Sequence, residues 1–187
     1  SAEIQAFMNS YFNKAIAQHN DYMAELEAIG WNKVLDPDRI QQDAGLVESR
    51  AIVSRAKVTV AKFRQRSHAL FEEAAVLVNA MDTNSGMKRG FVTGFRKSSS
   101  KGNDDAMRVW AMEAEIVATT EQIIQLLSDP RVSWALESEQ FVFADDQSLA
   151  LFNGYADRIN ELVRLEQEIQ AANRARVKQN LEQLEAN

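Results

Sequence analysis

Apolar residues along the chain recur every three or four positions, the repeat of a helix with one buried face. From Ile4 to Ile29 they occupy Ile4, Phe7, Met8, Tyr11, Phe12, Ile16, Tyr22, Met23, Leu26 and Ile29, which predicts a first long helix. Gly30 follows and suits the left-handed residue that closes a helix. Within the connector 31–43, Asp36, Pro37 and Asp38 read as a cap, a first-turn proline and an acidic first turn, so a short helix begins there.

A second long helix carries the seam Leu46, Ser49, Val53, Ala56, Val60, Phe63, Ser67, Leu70, Ala74, Leu77 and Met81. Seven-residue spacing held over about five heptads predicts shallow-angle packing in a bundle. The pattern then lapses. Residues 83–103 hold four of the seven glycines and the triplet Ser98, Ser99, Ser100, and read as a long loop with a helical turn near Phe91 and Phe95. Asp104 and Asp105 would cap a third helix bearing Met107, Trp110, Ala114, Val117, Ile124 and Leu127, ended by Pro130.

Val132, Trp134, Leu136, Phe141 and Phe143 predict a short helix and then an extended crossover over one end of the bundle. Asp145, Asp146 and Ser148 start a long fourth helix with Leu151, Phe152, Tyr155, Ile159, Leu162, Val163 and Ile169 on one face. Past Ile169 the stripe thins to Val177, Leu181 and Leu184 among polar residues. This last helix is expected to outrun its core, its stripe either pairing with a partner helix, a second copy included, or fraying.

Together these elements predict an all-α four-helix bundle of unequal helices, with long second and fourth helices, a basic loop between the second and third, and a crossover before the fourth. The 187 residues suffice for one domain, 1–187, with a sizeable core, and only 7 Gly and 2 Pro favour long helices.

Charge changes the picture in one place. The net charge is −6, which disfavours a dominant nucleic-acid role, yet the stretch from Gly86 to Gly102 carries Lys88, Arg89, Arg96, Lys97 and Lys101 and no acid. That stretch is +5 and the remainder −11. With Phe91 and Phe95 interleaved, it is a candidate binding loop for an acidic protein partner or an anionic membrane surface. The plainer alternative is a soluble connector whose phenylalanines tuck onto the bundle end. It lacks the glycine-to-Gly-Lys-Ser spacing of a nucleotide phosphate loop.

Catalytic motifs are missing. The chain has no cysteine, so thiolate catalysis and Cys-based metal sites are excluded. Its two histidines, His19 and His68, follow Ile16 and Gln65 at three residues, so the Glu-x-x-His pairs of a di-iron bundle are absent. The fourth helix has neither His nor Met for a haem, and no Gly-x-Ser-x-Gly elbow occurs. No cofactor is expected. The start at Ser1 fits removal of a leader or anchor, which points to an extracytoplasmic setting such as a bacterial cell envelope, and equally fits a trimmed cytoplasmic protein.

The expected function is therefore non-enzymatic, an interaction or scaffold domain with a protein partner. The rival is a small-molecule sensor. For the rival, His19 lies on the first helix's seam and, with Tyr22, Arg50 and Arg64, forms a candidate inter-helix pocket in which arginines clamp a carboxylate. Against it stand a histidine bonded to a polar neighbour and arginines with solvated heads. Glu72, Glu73, Glu113 and Glu115 would pair only if the second and third helices brought them together, and a solvated acidic face is the simpler reading.

Overall fold

The computed structural model describes residues 1–185, with the side chains of 180, 181 and 183–185 outside the described set. The chain is predominantly helical. Its long helices are α1 (Ala2–Ala28), α3 (Val47–Asn79), α4 (Gly86–Ser128) and α5 (Asp146–Glu185). A short α2 (Pro37–Gln42) lies between single-turn 3₁₀ helices at Trp31–Lys33 and Ala44–Leu46, and strands β1 (Trp134–Glu137) and β2 (Gln140–Phe143) form a hairpin. The long helices alternate in direction. Glu25 meets Lys62, Lys57 meets Glu121, and Arg158 meets Glu115, so α3 packs against both α1 and α4, and α5 against α4.

Local chemistry explains the first breaks. Gly30 closes α1 with φ 86°, and a Cβ built there would meet Ile52 Cδ1 at 3.4 Å. Asp36 caps α2 by accepting the Arg39 N–H, with Pro37 in the first turn. Between α2 and α3 the backbone is left-handed at both Gly45 and Leu46. Leu46 tolerates a conformation unfavourable for a side-chain-bearing residue because its side chain is buried in the core. Asp43 caps α3 by accepting N–H groups of Glu48 and Ser49 and the Ser49 hydroxyl. Burial pushes the Asp43 carboxyl up, but these bonds and one from Arg39 outweigh it and hold its pKa below the usual range.

The expected seam of the second helix matches the buried side of α3 from Leu46 to Ala74, Ser67 alone being half-buried, and again at Met81 just past its end, but misses at one position between them. Leu77 is 50% exposed, whereas Val78 is wholly buried. A straight helix drifts about 20° per heptad from a strict seven-residue repeat, and over 33 residues the drift shifts the buried position by one.

The long loop expected over 83–103 is helical. The true connection spans only 80–85, where Asp82 accepts the Asn84 N–H and Ser85 caps α4 by accepting from Lys88 N–H. Helical glycine costs about 1 kcal/mol per residue, and Gly90, Gly94 and Gly102 are all interior. Packing offsets that cost, because Phe91, Val92 and Phe95 join Phe7, Ala74, Val78 and Met81 in one hydrophobic cluster. Asp104 and Asp105 are therefore interior to α4 rather than its cap, and the expected third helix is the longest in the chain.

The crossover is a β-hairpin with no helix in it. Trp134, Leu136, Phe141 and Phe143 alternate inward, in cross-strand pairs Trp134 with Phe143 and Leu136 with Phe141. Ser138 and Glu139 turn the chain with φ 50° and 63°, the twist that suits a two-residue hairpin loop. The indole of Trp134 donates to the Leu127 carbonyl, satisfying one orphan acceptor at the end of α4. Asp145 then caps α5 by accepting the N–H and hydroxyl of Ser148.

Candidate functional site

The main hydrophobic cluster runs from Tyr22 and Leu26 through Val53, Val60 and Phe63 to Ile123, Ile124 and Leu127, with Trp134, Phe141, Phe143, Phe152 and Tyr155 against it. The second cluster surrounds Phe7 near the other end of the helices. Between them α1, α3 and α4 line a cavity of about 190 Å³ that is open to solvent on one side. Large side chains are missing where they would be needed to close it. Ala15 and Ser67 face the space from α1 and α3, and aromatic rings of Tyr11, Tyr22, Phe63, Phe71 and Trp110 form its walls. Gln18, His19 and Ser67 supply polar groups, and Gln18 also donates to the Arg66 carbonyl at 3.4 Å.

The walls are held by edge-to-face and tilted ring contacts. Tyr22 lies 4.9 Å from Trp110 and 5.4 Å from Phe63, centroid to centroid, and Tyr11 lies 6.3 Å from Phe71. Such pairs add about 0.5–1.5 kcal/mol each beyond burial. Lys62 Nζ and the Arg66 guanidinium sit 5.2 and 5.1 Å from the Phe63 centroid, within cation–π range. Lys62 is also tied to Glu25, whose carboxyl this ammonium, with the Thr59 hydroxyl, holds below its ordinary pKa.

Behind the cavity wall Tyr22, half-buried Glu113 and buried Glu166 come together. The Tyr22 hydroxyl donates to Glu113 Oε2 at 2.7 Å. Glu166 of α5 is only 8% exposed and sits against Glu113. Burial, then the neighbouring Glu113, pushes the Glu166 pKa up to about 8. Burial and the same two carboxyls push the Tyr22 phenol up as well.

Of the residues expected to form an inter-helix pocket, His19 and Tyr22 line this cavity. Arg50 and Arg64 do not: both are exposed on α3 and face solvent, because each follows a seam residue by one position and projects away from α1 and α4. Ser49 is buried at the α2–α3 junction, bonded to Asp43 and Arg39.

The expected basic loop is the first half of α4, and its residues separate. Phe91 and Phe95 turn inward onto Phe7. Lys88 pairs with Glu3 at 2.5 Å, Arg89 donates to the carbonyls of Thr83 and Asn84, and Arg96 donates to Asn79. Lys97 and Lys101 are exposed and have no ion pair among the described residues. On α5, Val177 is 39% exposed, one residue past Arg176, which still pairs with Asp105 of α4. Leu181 and Leu184 lie outside the described side chains.

Of the four acids weighed as carboxylate pairs, Glu72 meets His68, Glu73 meets Lys14 and Glu115 meets Arg158. Only Glu113 faces another carboxyl, and its partner, Glu166, comes from the last helix. The signal for Glu166 was present in the spacing, since it falls between Leu162 and Ile169 on the inward face. Trp110 was placed on a helix face, but nothing within α4 says which turns of α1 it meets.

Among the described residues, no group of three or more His, Asp or Glu is placed to hold a metal ion, and no helix is long and apolar enough to cross a membrane. Compared with protein-family models, curated proteins and solved structures, the chain matches none.

Proposed function

We propose that α1, α3, α4 and α5 work as a four-helix bundle that binds a small molecule in the cavity between α1, α3 and α4. The supporting observation is the cavity itself, about 190 Å³ walled by five aromatic side chains with Gln18, His19 and Ser67 among them. A dry apolar cavity of about 150 Å³ accepts benzene, so a single ring fits here, whereas drug-sized ligands need more. The polar groups select a ring bearing one hydrogen-bonding substituent. His19, exposed on α1, stands at the mouth.

A panel of phenol, benzyl alcohol, benzoate and benzylamine, titrated against the labelled protein, tests this by NMR. Expected are shifts at the Trp110 indole and Ser67 amide for at least one member, abolished in Ser67→Leu, which fills the space. No shift at either position for any member would reject the reading.

A second reading, an interaction domain for an acidic helical segment, has its own support on α4. Gly90, Gly94, Lys97 and Lys101 share one exposed helix face, and a Cβ built at either glycine meets nothing within 4 Å. Such a face lets a helix approach closely beside two lysines. Anisotropy of a labelled Glu-rich helical peptide, with anionic vesicles as competitor, checks it. Binding is expected to fall at least tenfold in the Lys97→Glu, Lys101→Glu double variant, and no binding, or capture by vesicles alone, overturns it.

A further inference from the structure

Glu166 occupies a core position of α5 yet ends in a carboxyl. Its Oε1 is buried and has no hydrogen-bond partner. The groups packed around it do not supply a counter-charge. From α4 comes Glu113, whose Oε2 accepts the Tyr22 hydroxyl of α1. The cations of the neighbouring turns are engaged elsewhere: Arg158 with Glu115 and Glu161, Arg164 with Glu168, Arg176 with Asp105, and Lys62 of α3 with Glu25. His19, nearly one turn before Tyr22 on α1, is exposed to solvent.

With Glu166 buried and Glu113 half-buried beside it, both cannot ionise without loss of hydration and mutual repulsion, and the cations of the neighbouring turns are paired elsewhere. One proton resolves the conflict. Glu166 then donates to the Glu113 carboxylate, which already accepts from Tyr22, and a single chain of hydrogen bonds links three helices.

We propose that Tyr22, Glu113 and Glu166 form a one-proton latch that clips α5 to α4 and α1, and that the latch opens when the proton leaves. Deprotonation puts two negative charges side by side, the one on Glu166 buried, and the turn of α5 around Glu166 must admit water or move away. The ion pairs Arg158–Glu115 and Arg176–Asp105 hold α5 on either side, so opening is confined to the stretch between them. With Glu166 raised to about 8, opening falls in mildly alkaline solution.

The sign follows from proton uptake. A carboxyl whose folded pKa lies above its unfolded one is protonated in the native state where the unfolded chain has lost its proton. Stability therefore falls as pH rises from about 4.5 to about 8, by up to tenfold in the folding equilibrium constant per pH unit, and levels off above.

Carboxyl ¹³C NMR of the full chain, labelled at glutamate, reads the latch directly. One glutamate midpoint near pH 8 is expected, lost in Glu166→Gln. Amide exchange around 162–169, corrected for the intrinsic pH dependence of exchange, should rise between about pH 7 and about pH 9 in the native chain and stay flat in that variant. If Glu166→Gln does not fold, Glu113→Gln removes the charge partner instead and should lower the midpoint. The proposal is overturned if every glutamate of the native chain titrates below about pH 6, or if native and variant chains show the same pH dependence of α5 exchange. Neither readout requires a ligand, so the latch and the cavity reading stand or fall separately.

Discussion

At one end of the helices, Ile40, Ile52, Val53, Phe63, Ile123, Ile124 and Leu127 interlock as a dense core drawn from α2, α3 and α4. At the other, Phe7 gathers Phe91 and Phe95 edge-on and stacks near Tyr11, over the small patch Ala74, Val78, Met81 and Val92. The first region is filled by many aliphatic side chains, the second by a few rings. Between them the helices continue without a break, but the packing does not. Ala15 and Ser67 are too small to close the space from facing helices, and a cavity results. A helix's backbone hydrogen bonds are local to it, while a core exists only where large side chains from different helices reach the same point.

The sharpest break of this comparison is Phe63→Ala. Phe63 is 2% exposed in the dense core and also walls the cavity, so its loss should cost about 3–5 kcal/mol, read by denaturant unfolding. Phe7→Ala removes the centre of the other cluster. Here the residue is slightly exposed and its neighbours belong to helix ends that can relax, so about 2–3 kcal/mol is expected. Faster amide exchange should be confined to the first turns of α1 and to 86–95. Equal losses in the two variants, with exchange rising everywhere, would show that the regions are one cooperative core.

Smaller changes sharpen the same contrast at the start of α4. Ser85→Ala deletes the cap that accepts the Lys88 N–H and should destabilise by about 1 kcal/mol. Gly94→Ala should do the opposite. Nothing lies within 4 Å of a Cβ built there, so alanine is expected to stabilise the chain by about 0.5–1 kcal/mol, measured as a raised thermal midpoint. A destabilised Gly94→Ala variant would mean that this segment is not held as a regular helix.

The same two regions mark what was legible in the chain. In the dense half, three-and-four spacing located α1 and α3, Gly30 and Asp36–Pro37 marked their connector, and Asp145 marked the start of α5, because caps and closures act through neighbours a few residues away. In the other half, local signals pointed the wrong way. Glycines and serines over 86–102 lower helix propensity, and only the docking of Phe91, Val92 and Phe95 on Phe7 and Val78 reverses that preference. The hairpin hid for a related reason. Ser138 and Glu139 are not turn formers for left-handed positions, and pairing of Trp134 with Phe143 is what holds them there.

The candidate site divides likewise. Tyr22 is readable as an inward position of α1, whereas His19, on the same expected seam, is exposed beside the cavity, and Arg50 and Arg64 face solvent as flanking charges do. Periodicity within a helix located most inward residues, since a side chain's azimuth follows from about 100° per residue, although Ile16 and Met23 on the expected face of α1 are exposed. It could not determine which inward residues meet. That Trp110 faces Tyr22, that Glu166 meets Glu113, and that Ala15 and Ser67 leave a space between them depend on the axial register of one helix against another, which only the sum of contacts in the folded chain decides.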